Sequence, residues 1–481
     1  MSTTTTDPQG GKVFKGKVTA FAIAAAVGGF LFGFDSSVIN GAVSAINEQF
    51  GLSDAASGFA VASALIGCAF GAFFAGRFAD RYGRTRIMLV AAILFFASSI
   101  GAAFAFATWD FVAWRLIGGL GIGTASVIAP AYISEVSPKA IRGRLASFQQ
   151  LAITLGIFAA LLSDQLFATV AGGASAEFLG ISAWRWMFLV GVVPSVVYGI
   201  LAIALPESPR YLAAQGRTDD ARGVLEKIVP RDTVSTSLEE IQDGIDREAK
   251  EKKGTVRGNR FGLQPIVWVG VILAVLQQFV GINVIFYYST TLWQAVGFQE
   301  SDSFFISTIT AVVNVVVTFV AILLVDKIGR KPLLLAGSGG MFVSLLMVAI
   351  AFSQATVDSS GDPHLPGAWG MIALVFANLF VVSFGATWGP LMWVLLGEMF
   401  PNRIRATALG IGSAANWVAN FVVTITFPIL SGFNLTVTYG IYALFALVSF
   451  FFVLGKIPET KGRSLEEMGI SAEDGAVDAK R

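Results

Sequence analysis

The sequence predicts an all-α integral membrane protein that crosses the bilayer with twelve helices. Of its 481 residues, 55% are apolar and only 14% are charged, whereas soluble globular domains carry about 25% charged residues. Apolar runs recur along the chain, and each approaches the roughly 20 residues that a helix needs to cross a bilayer core of about 30 Å. Lipid rather than water is therefore the expected surrounding of most of this chain.

Twelve such runs can be placed on the sequence. They lie near residues 18–42, 56–79, 86–107, 110–134, 145–170, 184–205, 263–296, 304–325, 333–354, 368–397, 405–430 and 436–455. The first run passes through Gly33-Phe34-Asp35 instead of ending at a small-residue cleavage site, so we expect a retained span and not a signal peptide. An even number of spans places both chain ends on the same side of the membrane.

Lysine and arginine predict which side that is. Of the 33 Lys and Arg residues, only Arg115 lies well inside a predicted span and only Arg185 lies at an outer edge. The loops on the opposite side carry acidic residues instead, namely Glu48, Asp54, Glu177, Glu300, Asp302, Asp358 and Asp362. Because basic loops face the cytoplasm, both termini are expected to be cytoplasmic. The expected location is the plasma membrane, specifically a bacterial inner membrane.

The chain divides into five predicted segments. These are a cytoplasmic tail at 1–17, a six-helix half at 18–205, a cytoplasmic linker at 206–260, a second six-helix half at 261–455 and a cytoplasmic tail at 456–481. Helical patterns at 217–229 and 238–253 predict short cytoplasmic helices within the linker. We interpret the linker's charged residues as a solvated face rather than a binding patch.

The two halves carry matching motifs in their cytoplasmic loops. The motif D-[RK]-x-G-R appears as Asp80-Arg81-Tyr82-Gly83-Arg84 and again as Asp326-Lys327-Ile328-Gly329-Arg330. Glutamate and arginine seven residues apart follow the fourth and tenth spans, as Glu135 with Arg142 and as Glu398 with Arg405. Pro206-Glu207-Ser208 and Pro458-Glu459-Thr460 follow the sixth and twelfth spans. Three motifs at corresponding loops predict pseudo-symmetric halves related by a parallel repeat.

These acids and bases are candidates for a cytoplasmic gate. The positive-inside rule explains the basic residues of the motifs but not the acids that accompany them. Acidic and basic groups at equivalent helix ends can bridge helices while the cytoplasmic side is closed and separate when it opens. The candidate gate residues are Asp80, Arg84, Glu135, Arg142, Asp326, Arg330, Glu398 and Arg405.

Five motifs together resemble the sugar porter branch of the major facilitator superfamily. They are GFLFGFD at 29–35, RFADRYGR at 77–84, PESPR at 206–210, QQFVGIN at 277–283 and PETKGR at 458–463. The likeness runs over nearly the whole chain, from Gly28 to Glu467. It implies the major facilitator fold, in which two six-helix bundles hold a monosaccharide between them and expose it alternately to the two sides.

No enzyme activity, cofactor or metal is expected. The stretch from Gly11 to Lys17 fits the first part of a P-loop, but Val18 stands where that loop needs Ser or Thr. The glycines at 119, 121 and 123 fall inside a span, where small residues let helices approach each other closely. A single histidine, His364, provides neither a metal cluster nor a Ser-His-Asp set.

A sugar site needs side chains that both donate and accept hydrogen bonds, and an aromatic ring for the sugar's apolar face. The resemblance assigns this role to positions that contact sugar in the family, namely Gln150, Gln277, Gln278, Asn283, Asn314 and Trp388. Asn416 and Trp417 in the eleventh span are further candidates. Helical offsets place Gln278 and Asn283 on nearly the same side of the seventh span. The alternative is that these amides only hydrogen-bond helices to one another.

Asp35 and Arg115 are the candidates for proton coupling. We interpret Asp35 as the one carboxylate well inside the membrane region of the N-terminal half, and Arg115 as the one cation there. A charge at the bilayer centre costs at least about 2.5–3.5 kcal/mol on insertion scales, so a mutual pair is more tolerable than an isolated charge. In sugar porters with a matching motif the acid faces this arginine, and uniporters tend to lack the acid. The resemblance therefore implies symport; a purely structural ion pair is the alternative.

The expected function is proton-coupled symport of a monosaccharide, with a hexose such as glucose as the first candidate. The alternatives are a proton-independent sugar facilitator, a xylose or inositol symporter, and a transporter-like sugar receptor, although such a receptor would carry a longer cytoplasmic tail than 456–481. The expected partners are the sugar, a proton and the lipid bilayer, with no nucleic acid. The protein is expected to be monomeric.

Overall fold

A computed structural model describes residues 5–6, 12–13, 15–137, 142–250, 256–258, 262–357, 363–400 and 402–459. In this part of the chain, twelve helical segments are long and apolar enough to cross a membrane. The predicted all-α membrane fold with twelve spans is confirmed. Most of the predicted C-terminal tail, residues 460–481, lies outside the described residues.

The helices up to the linker form the first six spans. They are α1 (Lys15–Phe50), α2 (Asp54–Tyr82), α3 (Arg84–Ala103), α4 (Thr108–Val136), α5 (Arg142–Ala171), α6 (Ala183–Val190) and α7 (Val192–Ala204). The linker contains α8 (Pro209–Ala214), α9 (Thr218–Ile228), a 3-10 turn (Arg231–Thr233) and α10 (Val234–Lys250). The two predicted linker helices are thus confirmed as α9 and α10.

The remaining helices comprise the last six spans and one short helix between the seventh and the eighth. They are α11 (Pro265–Phe279), α12 (Ile282–Tyr287), α13 (Ser289–Gln294), α14 (Glu300–Ile328), α15 (Arg330–Phe352), α16 (Trp369–Ser383), α17 (Gly389–Met399), α18 (Asn402–Phe433) and α19 (Leu435–Lys456). Three short antiparallel pairs complete the described elements: β1 (Thr5–Thr6) with β2 (Lys12–Val13), β3 (Glu177–Phe178) with β4 (Ile181–Ser182), and β5 (Thr356–Val357) with β6 (Pro363–His364).

Three of the spans are interrupted helices. The sixth consists of α6 and α7. In the seventh, α11 and α12 are separated by Gly281, whose φ of 82° lies in the left-handed region that glycine adopts readily. The tenth contains a π-helical turn at Phe384–Trp388, a feature frequent at functional sites. The span predicted near 263–296 is therefore not one continuous helix, because Gly281 turns the chain within it.

Packing divides the chain into two compact units. The first comprises Met1–Ser36, Ile66–Ala160 and Phe188–Lys252, and the second comprises Ser37–Leu65, Leu161–Met187 and Lys253–Arg481. Within the first unit, α3 packs along α4 and α7. Within the second, α15 packs along α16 and α19, and α11 packs along α18. The division into sequential halves at 206–260 remains a prediction.

Glycines bring α1 and α5 into close contact in the first unit. A methyl group at Gly33 would collide with the backbone carbonyl of Ile153, and one at Gly156 would collide with that of Phe30. Small residues at such crossings let helix backbones touch, which is a main source of helix association in lipid. The contact fixes α1 two residues before Asp35.

Gly33→Ala should destabilise the protein, because the added methyl group meets helix backbone rather than a movable side chain. Overpacking of this kind costs about 1–3 kcal/mol. The melting temperature of the purified protein in detergent measures the effect. Gly76→Ala is the matched control, since a methyl group there meets nothing within 4 Å. Equal melting temperatures for the two variants would contradict the close contact.

Candidate functional site

The first unit holds a buried ion pair between α1 and α4. Asp35 is 5% exposed and Arg115 is 2% exposed. Arg115 Nη1 lies 2.7 Å from Asp35 Oδ1 and 3.5 Å from the backbone oxygen of the same residue. Each charge is therefore neutralised by the other in a position where neither would be stable alone.

The ion pair with Asp35 involves one nitrogen atom of the Arg115 guanidinium group, Nη1. Arg115 Nε is buried and has no hydrogen-bond partner among the described residues. The guanidinium carbon lies 5.8 Å from the centroid of the Phe188 ring. A bidentate arginine–carboxylate contact would engage two nitrogens, whereas a single nitrogen forms this one. Protonation of Asp35 would therefore remove the counter-ion of Arg115 in the described part of the chain.

A second carboxylate also lies inside a span, so the interpretation of Asp35 as the only one in its half is wrong. Asp164 lies on α5, within the candidate span Ser147–Ala171, and is fully buried. Its Oδ2 accepts a hydrogen bond from the Gly41 N–H at 3.2 Å. The sequence alone is sufficient to identify Asp164 as a candidate, because an aspartate in the middle of an apolar run of this length is rare.

Four of the predicted sugar-site amides form one hydrogen-bonded network in the second unit. Gln277 Nε2 donates to the Trp388 carbonyl at 3.1 Å, and its Oε1 accepts from Asn416 Nδ2 at 2.8 Å. Gln278 Nε2 donates to Asn416 Oδ1 at 3.1 Å. Asn283 Nδ2 donates to Gln278 Oε1 at 2.7 Å. The network joins α11, α12, the π-helical turn and α18.

The break at Gly281 positions Asn283 beside Gln278. The Gly281 N–H donates to the Gln278 carbonyl at 2.9 Å, and α12 starts immediately afterwards at Ile282. A side chain at Gly281 would collide with the ring of Tyr442, so both the backbone angle and the available space require glycine. Gln278 and Asn283 lie together as their helical offsets predict, although the helix is interrupted between them at Gly281.

Three of the predicted amides retain hydrogen-bonding capacity. Within the described residues, no protein group binds the side-chain oxygen of Asn283 or the side-chain amides of Asn314 on α14 and Gln150 on α5. Asn283 and Asn314 belong to the second unit, and Gln150 belongs to the first. An amide that the protein leaves unused can both donate to and accept from a hydroxylated ligand.

Both predicted tryptophans are buried. Trp388 is completely enclosed, and its indole N–H donates to Ser338 Oγ at 2.9 Å and to the Leu334 carbonyl at 3.2 Å. Trp417 on α18 is 9% exposed. The protein thus already uses the N–H of Trp388.

Residues of the cytoplasmic motifs form one charged cluster in the first unit, at its predicted cytoplasmic end. Arg84 Nε and Nη2 donate to the two carboxylate oxygens of Glu135 at 3.0 and 2.9 Å, and Arg84 lies 3.0 Å from Asp80. Glu207 accepts from the backbone N–H groups of Arg84 at 2.9 Å and Thr85 at 3.3 Å. These are the first residues of α3, so Glu207 satisfies free N–H groups and complements the helix dipole.

The second unit repeats this cluster with the second copy of the motifs. Glu459 accepts from the backbone N–H groups of Arg330 and Lys331, both at 3.1 Å, at the start of α15. Arg330 Nη2 lies 3.0 Å from Glu398 Oε1. The glycines before α3 and α15 have φ values of 98° and 109°, which explains the glycine of the D-[RK]-x-G-R motif.

One candidate gate residue, Arg405, makes a different contact in the described part of the chain. Arg405 donates to the Phe400 carbonyl at 3.1 and 3.0 Å, while Glu398 pairs with Arg330. Burial lowers the pKa of the Arg405 guanidinium. The side chains of Arg142 and Asp326 lie outside the described residues.

Comparison with known proteins assigns the chain to a family. The family model described as Sugar (and other) transporter matches residues 21–471. The chain belongs to this sugar transporter family. It is 52% identical over 447 residues to a glucose transport protein of Synechocystis sp., covering 92% of this chain and 95% of that protein. The resemblance inferred from the motifs is confirmed.

This sugar transporter is also similar to xylose carriers of Escherichia coli. It is 36% identical over 488 residues to the D-xylose-proton symporter of strain K12, covering 94% of this chain and 95% of that protein. A solved structure of the xylose transporter of E. coli in an inward open conformation matches with a TM-score of 0.80 at 34% identity, covering 94% of this chain and 99% of that chain. The major facilitator fold is thus confirmed.

Asn283→Ala and Gln278→Ala should weaken sugar binding without unfolding the transporter, because each removes amide groups from the network. A lost hydrogen bond contributes about 0.5–1.5 kcal/mol, which corresponds to about a two-fold to tenfold loss of affinity. Calorimetric titration of the purified variants with glucose measures this loss. Gln354→Ala removes an exposed amide and should leave affinity unchanged. Wild-type affinity in both site variants would show that the amides only connect helices.

Proposed function

We propose that this protein is a proton-coupled symporter that carries a monosaccharide, with a hexose such as glucose as the first candidate, across the plasma membrane by alternating access. The pair of Asp35 and Arg115 supports the proposal most, because it places a titratable carboxylate inside a span beside a cation that stays charged. A glucose transport protein and a D-xylose-proton symporter are among its relatives.

The amide network of the second unit is the proposed sugar site. Hydrogen bonds within the network hold Gln278 and Asn416 in fixed orientations, so little ordering remains to be done when a sugar binds. The unused groups of Asn283 and Asn314 can then bind sugar hydroxyls. Gln150 in the first unit and the ring faces of Trp388 and Trp417 keep their proposed role as further sugar contacts.

Proton coupling follows from the charge state of Asp35. While the carboxyl is ionised, it attracts Arg115 and holds α1 against α4. A proton on either carboxylate oxygen makes this group neutral and weakens the contact. A change of a few kcal/mol shifts a two-state equilibrium strongly. If sugar binding responds to the same equilibrium, proton and sugar affinities become linked by thermodynamic necessity.

The charged clusters are the proposed cytoplasmic gate. Arg84 with Glu135 and Arg330 with Glu398 connect helix ends within their own units, and Asp80 extends the first cluster. Arg142, Asp326 and Arg405 remain proposed members on the strength of the repeat. We place both termini in the cytoplasm and propose a monomer in a bacterial inner membrane.

Asp35→Asn separates symport from facilitated diffusion, because asparagine keeps the shape of the carboxyl group but cannot carry a proton at physiological pH. The variant should lose uphill glucose accumulation driven by a pH gradient in proteoliposomes. It should still exchange labelled glucose at equal concentrations on both sides, since the amide network is elsewhere in the protein.

The matched control is Asp110→Asn, which changes an acid at the start of the same helix as Arg115 and should leave accumulation intact. Full accumulation by Asp35→Asn would show that the proton travels by another route. Loss of exchange together with loss of stability would assign Asp35 to structure alone, because the uncompensated cation then damages the fold.

A further inference from the structure

Asp164 is a buried carboxylate that the proposed transport cycle leaves without a role. It is 0% exposed, and its only hydrogen bond to a described residue comes from the Gly41 N–H of α1, at 3.2 Å. Its Oδ1 has no partner among the described residues. The contact is tight, because a methyl group at Gly41 would collide with the Asp164 side chain. Asp164 therefore lies directly in the interface between α1 and α5.

No cation neutralises Asp164 in the described part of the chain. The charged groups on helices packed against this end of α5 are otherwise engaged or remote. Glu48 on α1 and Glu300 on α14 bind the loop after α5 at 2.7 and 3.0 Å, and Arg185 on α6 lies over the Trp184 ring. Asp302 is exposed, and Asp35 is paired with Arg115.

Uncharged polar side chains of α1 lie next to Gly41 along the helix. Ser37 lies one helical turn before Gly41, on the same face of α1, and its buried hydroxyl has no partner among the described residues. Asn40 Nδ2 is buried and unpaired in the same way. An ionised carboxylate buried without a cation is strongly unfavourable, and such a group binds a proton instead. A protonated carboxyl is compatible with a stretch of α1 that carries buried hydroxyl and amide groups and no cation.

The interface at Asp164 is part of a larger closed contact within the second unit. Asn40 Oδ1 accepts from the Thr290 N–H at 3.0 Å, and Ser44 Oγ donates to Gln294 Oε1 at 3.1 Å. Thr308 Oγ1 of α14 donates to the Leu161 carbonyl of α5 at 3.3 Å. Each of these bonds joins α1 or α5 to a helix of the second unit, either α13 or α14. The joined ends of α1 and α5 are the ones predicted to face the outside of the cell. An external entrance that opened between these helices would separate them and admit water.

We propose that Asp164 is a second proton-binding residue, distinct from Asp35, which is protonated while α1 is packed on α5 at Gly41 and ionises when that interface opens to water. Proton binding then stabilises the closed external contact. The inference deepens the proposed transport function, since it rests on alternating access, but it does not depend on the role of Asp35.

Infrared difference spectroscopy tests the protonation directly, because a protonated carboxyl group has a carbonyl-stretch band that an ionised one lacks. The purified full-length protein is measured in neutral buffer as wild type, Asp35→Asn, Asp164→Asn and Glu48→Gln. The band should be present in wild type, should persist in Asp35→Asn and in the exposed control Glu48→Gln, and should be lost in Asp164→Asn. No protonated-carboxyl band in Asp35→Asn would overturn the proposal, even if Asp164→Asn fails to fold.

The pH dependence of glucose affinity gives an independent readout that a merely structural Asp164 would not change. In the Asp35→Asn background, affinity should still vary with pH, and adding Asp164→Asn should abolish this remaining variation. An identical pH profile with and without Asp164→Asn would contradict the proposal. Uphill accumulation by Asp35→Asn, measured separately, would refute the role of Asp35 and leave that of Asp164 standing.

Discussion

The ion pair between Asp35 and Arg115 is the constraint around which the first unit is organised. Neither charge is tolerable alone inside a span, so α1 and α4 must keep the two groups within contact distance, 2.7 Å in this structure. Glycine residues provide the space for this close approach of the helices. Gly33 lets α1 touch α5 just before Asp35, and a methyl group at Gly118 on α4 would collide with Ser98 beside the pair.

The same constraint governs the polar groups of the second unit. Polar side chains inside a membrane bundle are stabilised by hydrogen bonds between helices, and the amides of α11, α12 and α18 bond to one another. A network in which every polar group had a protein partner could not hydrogen-bond to a ligand. In the described residues, however, Asn283 and Asn314 keep side-chain groups without a partner. The result is a rigid arrangement with a few free donors and acceptors, which is what recognition of a sugar requires.

The number of spans and the pairing of Asp35 with Arg115 could be predicted, because hydropathy and the rarity of charge report directly on burial in lipid. The break at Gly281 and the π-helical turn before α17 could not, since they depend on neighbours such as Tyr442 that are distant in sequence. Glu207 and Glu459 were recognised as repeated motifs, yet their binding to the starts of α3 and α15 is a tertiary contact. Asp164 can be recognised from the sequence alone, as an acid within the apolar run of the fifth span.

The most direct test of this account is the movement of protons that accompanies sugar entry. Wild-type protein is placed in liposomes that enclose a pH indicator, with no ion gradient, and glucose is added outside. The account predicts that the interior becomes more acidic as glucose enters, and that the mirror-image sugar has no such effect. Entry of glucose with no change of internal pH would contradict proton coupling and make the protein a facilitator.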